Sequence, residues 1–244
     1  MTLTVADTAY SIAAVRAEER ELFDDPFAKH FVAAGEHARE GTERYLSLPF
    51  FRDGIRLRTR YLDDAVREAA RDEFEQFVLL GAGFDARALR MSELAGKHVY
   101  EVDGREQMNR KREILEGAGV TIPKTDIYVP VDDFTIDAFT SALASAGFDR
   151  ERAVFFVWEG VIGYIGDDEI DANLRFMANA AKRSRVVFTF GMESYAPRVT
   201  KLGFDVREEL AMTDIWRRYL PGEPPDGAAY SMCAVIESPR SKTG

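Results

Sequence analysis

Acidic residues fall at recurring positions along this chain, each just after a short apolar run. Glu101 and Asp103 close the run that begins at His98, Asp132 and Asp133 follow Ile127 to Val131, and Glu159 follows Ala153 to Trp158. A fourth run, Gln76 to Leu80, ends in Gly81-Ala82-Gly83-Phe84-Asp85, and a fifth, Arg185 to Phe190, ends in Gly191. Glycines after a strand let backbone approach a ligand closely. A carboxylate can accept both hydroxyl hydrogens of a ribose, another can meet the exocyclic amine of adenine, and a third can hold an ammonium group. Ribose, adenine and ammonium together describe S-adenosyl-L-methionine, whose sulfonium is also cationic. A ring of negative side chains suits that cation and repels a diphosphate.

A second ligand class fits part of the same pattern. Gly81-x-Gly83-x-x-Ala86 satisfies the dinucleotide fingerprint, and Asp103 lies near the expected distance for a ribose partner. An NAD(P)-dependent oxidoreductase is therefore an alternative, as is a non-catalytic cofactor-binding protein. Asp85 weighs against a diphosphate at the turn, where uncharged backbone donors are preferred. No Tyr is followed four residues later by Lys, so the short-chain dehydrogenase pair is absent.

These groups need a scaffold that brings the ends of several strands together. Helices are expected between the runs, from the glycine turn through Leu89, over Arg105 to Leu115, Ile136 to Ala146 and Asp168 to Ala181. Alternating strands and helices predict a parallel sheet covered on both faces. Ligands of such a sheet bind beyond the carboxyl ends of its strands. Ahead of the alternation, Thr4 to Phe23 and Arg56 to Arg71 read as helices. The second carries Leu57, Tyr61, Leu62, Ala65, Val66 and Ala69 on one stripe. Two weaker strands are expected around Phe204 to Arg207 and Tyr230 to Ile236. The aromatic stretch between Gly191 and the last strand reads as an irregular lid or substrate wall.

Composition narrows the partners. The 244 residues carry 32 Lys and Arg against 42 Asp and Glu, a net charge of −10, which argues against nucleic acid. The lone cysteine, Cys233, cannot form an internal disulfide. The longest apolar run, Ala153 to Ile165, contains Glu159 and is too short to span a bilayer. No secretory signal opens the chain, so a cytoplasmic protein without a membrane partner is expected.

Read together, 76–87 (QFVLLGAGFDAR), 99–103 (VYEVD), 129–132 (VPVD) and 158–164 (WEGVIGY) resemble the leucine carboxyl methyltransferase family. Its bacterial branch comprises S-adenosyl-L-methionine-dependent O-methyltransferases. Earlier runs match in the same order: 8–16 (TAYSIAAVR), 22–27 (LFDDPF) and 58–64 (RTRYLDD). The resemblance implies a class I methyltransferase, Rossmann-like α/β fold with a seven-stranded, mostly parallel sheet. It also implies a single domain, with a helical N-terminal cap over residues 1–72 and a cofactor-binding core over 73–244 whose substrate-wall insertion lies around 192–228. By matching position, the turn Gly81-Ala82-Gly83 approaches the methionine part of the cofactor and Asp103 binds the ribose. Asp132 with Asp133 meets the adenine, Glu159 sits near the amino group, and Arg58 pairs with the cofactor carboxylate. Asp132-Asp133 replaces the Asp-Leu of many relatives, and Asp85-Ala86-Arg87 replaces Asp-Thr-Arg.

The expected reaction is in-line methyl transfer to an oxygen of a small molecule or a peptide carboxylate. A carboxylate acceptor needs no base, whereas a hydroxyl does. His98 opens its strand at the wrong end for catalysis, and His30 and His37 read as surface residues of the cap. No histidine spacing suggests a metal site. Tyr10, Phe50, Phe51, Tyr164, Tyr195 and Trp216 are candidates for the acceptor pocket.

Overall fold

The computed structural model describes residues 5–35, 39–191, 193–226, 228 and 232–238. Its centre is a seven-stranded sheet. The strands are β1 (Gln76–Leu80), β2 (His98–Gly104), β3 (Asp126–Val131), β4 (Val154–Trp158), β5 (Ser184–Phe190), β6 (Asp205–Ala211) and β7 (Met232–Glu237). They lie in the order β3-β2-β1-β4-β5-β7-β6. β1 to β5 are parallel, and β7 runs antiparallel to both neighbours. Strands β1, β4 and β5 are buried throughout, as continuously apolar runs in a covered parallel sheet must be.

Alternate residues face opposite sides and build two cores. Phe77 and Leu79 pack with Phe155, Val187 and the helices α4 (Phe51–Arg71), α6 (Arg105–Gly117) and α10 (Met212–Tyr219). Val78 and Leu80 pack with Phe156, Val186 and the helices α7 (Ile136–Ser145), α8 (Asp167–Asn179) and α9 (Ala196–Lys201). Helix α4 is thus part of a core layer. The helices α1 (Val5–Glu18), α2 (Ala28–Ala34) and α3 (Arg39–Leu46) stand before it, and α1 packs on all three.

Helix α1 stops earlier than its apolar spacing suggests, and the reason is local. The Glu19 carboxylate accepts the backbone N–H groups of Arg20 (2.9 Å) and Leu22 (3.0 Å), which a continuing helix would use itself. After β1 the expected long helix is also absent. Residues 81–86 form an extended turn, and only a short helix α5 (Arg87–Arg90) follows. The stretch after Gly191 is a correction as well. It holds α9, β6 and α10 rather than irregular chain. Tyr230 of the expected last strand and His37 lie outside the described residues.

Candidate functional site

The sheet order reverses between β1 and β4, and the carboxyl ends of β1, β2 and β4 open there into one cavity of about 1190 Å³. That exceeds the roughly 300–1,000 Å³ of a typical single-ligand pocket. The turn after β1 forms its floor. Gly81 and Gly83 adopt φ of 73° and 52°, a region closed to most side chains. A Cβ on Gly81 would also stand 2.5 Å from the Cγ2 of Val161. Both features keep bare backbone at the cavity surface.

Asp103, at the end of β2, locks this turn. Its carboxylate accepts the N–H of Gly83 and the N–H of Gly104, each at 2.7 Å. Burial raises its pKa, and those two hydrogen bonds only partly offset the effect. Each oxygen keeps a further lone pair for a ligand hydroxyl.

Glu159, at the end of β4, meets three guanidiniums. Arg16 donates to both oxygens at 3.0 Å, Arg58 to one at 2.9 Å and Arg87 to the other at 3.0 Å. Burial pushes this carboxyl upward, yet Arg16, Arg87 and Arg58 outweigh it and hold the pKa far below the ordinary range. With four donated bonds the carboxylate is saturated, and it aims Arg16 and Arg58 along the cavity wall. The amino nitrogens of Arg58 lie 3.5 and 3.9 Å from the point where a Gly160 side chain would begin, so Gly160 leaves room for them.

The acidic ring therefore does not stand as free negative charge. Asp85 pairs with the fully buried Arg87, which also meets Asp63 at 2.7 Å. Glu101 points into the core, where Lys111 bonds both it and the carbonyl of Asp85. Asp132 and Asp133, expected at the adenine, stand outside the cavity lining. Asp132 is 73 % exposed and bidentate with Arg105 at 2.6 and 2.8 Å, which lowers its pKa. Asp133 accepts from the hydroxyl and the N–H of Thr135, the residue that caps α7.

Of the expected site residues, Arg58, Gly81, Ala82, Gly83, Asp103 and Glu159 come together at the cavity. Tyr10 and Tyr164 join them, with the Tyr164 hydroxyl 3.3 Å from Thr8 Oγ1. The other aromatic candidates do not. Phe50 packs beside Trp216, Phe51 stacks on Tyr45, and Tyr195 packs on Phe188 and Phe190. The lining ends at Ile165 among the described residues, so the stretch around 192–228 supplies no wall. Neither His30 nor His98 lines the cavity. Among the described residues, no cluster of His, Cys, Asp and Glu is placed to hold a metal ion, and no helix is long and apolar enough to cross a membrane.

Two cavity residues escape the strand-end logic. Arg16 sits at the end of the spacing Ala9, Ile12, Ala13, Arg16, a charge on an otherwise apolar helical stripe, which is its sequence signal. Phe134 lines the mouth next to Gly104 and has no such signal.

These residues fit S-adenosyl-L-methionine. Asp103 offers acceptors for ribose hydroxyls, Arg16 and Arg58 offer donors for a carboxylate, and the glycine turn admits close approach. A dinucleotide fits less well. Its diphosphate wants backbone donors at a helix start, but the Gly83 N–H already serves Asp103, and α5 has four residues.

Comparisons with known proteins agree. A relative from Streptomyces avermitilis, named for S-adenosyl-L-methionine-dependent methyl transfer, is 32 % identical over 234 residues, covering 89 % of this chain and 78 % of its own. One of the same designation from Mycolicibacterium gilvum is 30 % identical over 237 residues, covering 88 % and 76 %. The solved methyltransferase domain of bacterial CtHen1-C superposes with a TM-score of 0.50 at 13 % identity, covering 75 % of this chain and 98 % of that one; it shares the fold. A sequence model for leucine carboxyl methyltransferases matches residues 4–178. The chain thus belongs to the leucine carboxyl methyltransferase family, enzymes that depend on S-adenosyl-L-methionine.

Proposed function

We propose that this enzyme transfers the methyl group of S-adenosyl-L-methionine to a carboxylate oxygen of a small acid or a peptide C-terminus. The observation that carries this reading is the wall around Glu159. Two guanidiniums, Arg16 and Arg58, face the cavity there, and no lining carboxylate beside them is free to act as a base. Glu159 is held ionised by its arginines, and Asp85 is tied to Arg87. An ionised acid needs no proton removed before it attacks, whereas an alcohol or phenol does.

In this reading the turn Gly81-Ala82-Gly83 lies along the methionine part of the cofactor. Asp103 takes the ribose hydroxyls through its remaining lone pairs. Arg58, aimed by Glu159, takes the cofactor carboxylate. When bound, the cofactor supplies an electrophilic methyl carbon on a sulfonium. An acceptor oxygen attacks that carbon in line, the carbon–sulfur bond breaks, and its electron pair stays on sulfur. The protein contributes alignment, which can supply several kcal/mol of a barrier.

The test is a transfer screen against small carboxylic acids, peptides with free C-termini and phenols, read by release of S-adenosylhomocysteine and by mass of the product. Methyl esters are expected. Turnover of phenols or alcohols alone would overturn the carboxylate assignment.

A further inference from the structure

Beside the ribose-binding carboxylate, the cavity offers an aromatic surface that neither Asp132 nor Asp133 explains. Phe134 follows these two residues at the end of β3, lines the cavity and is 58 % exposed. Its ring edge lies 3.6 Å from the point where a Cβ on Gly104 would sit. Gly104 directly follows Asp103, so the ring stands over bare backbone one residue from the ribose acceptor.

The base of the ring is held from several sides. Asp132 ties the loop to the start of α6 through Arg105, and Asp133 ties it to Thr135, the cap of α7. Phe139, inside the core, packs edge-on at 6.1 Å between centroids and 79° between planes. A large apolar ring fixed in this way but left open to the cavity is a stacking surface looking for a flat partner. The flat part of the cofactor is its purine, joined to the ribose that Asp103 addresses.

We infer that Phe134 is the stacking platform for the adenine ring, the role that strand position alone gives to Asp132 and Asp133. Those two carboxylates instead hold the loop that presents the ring. The inference rests on Asp103 as the ribose acceptor. Base–aromatic stacking is sequence-tolerant and strong enough that its removal weakens binding about ten- to hundredfold.

The test is calorimetry with S-adenosyl-L-methionine and S-adenosylhomocysteine on the wild type, Phe134→Ala, Phe134→Leu and Phe134→Trp. A thermal melt of each variant reports folding, which an exposed ring scarcely influences. Phe134→Ala should lose about ten- to hundredfold in affinity for both compounds, and Phe134→Leu should fall between. Phe134→Trp should retain affinity, and its added indole fluorescence should change on binding. Undiminished affinity of Phe134→Ala overturns this role and leaves the cofactor reading standing. A wild type that binds neither compound overturns the cofactor reading itself.

Discussion

Arg16 of the first helix places one nitrogen 3.0 Å from both carboxylate oxygens of Glu159, 143 residues further along the chain. The pair is buried on both sides, and Thr59 accepts from the same guanidinium at 3.3 Å. Helix α1 is thereby fastened to the carboxyl end of β4, at the point where the cofactor carboxylate is proposed to bind. One carboxylate serves as the hub for arginines from α1, α4 and α5.

Removing the hub should be far worse than removing a spoke. Glu159→Ala leaves three guanidiniums without their shared partner, and the expected loss in unfolding free energy is about 3–5 kcal/mol. Arg16→Ala leaves Glu159 two other arginines and should lose about 2 kcal/mol. In a urea-denaturation double-mutant cycle the two changes should be non-additive by about 1 kcal/mol or more. Additivity within about 0.5 kcal/mol would mean that the two residues do not communicate.

Asp103→Asn and Asp103→Ala should each bind S-adenosyl-L-methionine about ten- to hundredfold more weakly, as the loss of a charge-assisted hydrogen-bond pair implies. Circular dichroism should report the fold intact. Because burial raises the Asp103 carboxyl, the wild type should lose cofactor affinity on acidification at a higher pH than an ordinary aspartate would dictate. The affinity of Asp103→Asn should vary less with pH over that range. Calorimetry across the acidic range decides it.

Asp126 opens β3 in the same buried neighbourhood as Lys111, Glu101 and Tyr128, and desolvation raises its carboxyl from 3.8 to about 6. The neutral form is favoured in the folded state. The stability this provides is present below about pH 3.8 and lost as pH rises through about 6. Asp126→Asn removes that dependence. Relative to the wild type it should gain up to about 3 kcal/mol between pH 4 and pH 8 in urea titrations. An unchanged difference across the range would refute the assignment.

Gly81→Ala meets two obstacles, a positive φ and the Cγ2 of Val161 at 2.5 Å. The expected loss is about 1–3 kcal/mol together with weakened cofactor binding. Adding Val161→Ala should restore part of the stability, because it removes the contact and leaves the backbone strain. Full restoration would show that the dihedral angle does not matter at this turn.

Much of this arrangement is legible in the residues themselves. The runs at β1, β4 and β5 stand out because a strand covered on both faces has no polar side to show, and the glycine turn marks where the sheet opens. Asp103 and Glu159 are found by asking what ends each strand. Their partners are harder to read. Arg16 and Arg58 reach Glu159 from more than 100 residues away, over long side chains whose direction no local pattern reveals. The acidic mouth therefore looks more negative in the sequence than it is in the fold. The stretch after Gly191 hides its helices and β6 for another reason. β6 is an edge strand with half its residues charged, Asp205, Arg207, Glu208 and Glu209 among them, so it lacks the apolar signature of the inner strands.

The antiparallel strand β7 sits between β5 and β6, and β6 pairs with nothing else in the sheet. During synthesis β6 must leave the ribosome before the only partner it will ever have. The sheet closes when residues 232–237 slide into a slot already flanked on both sides, so maturation of this enzyme ends with an insertion rather than an addition at the rim. A nascent chain arrested just short of that point would carry an open seam along β5.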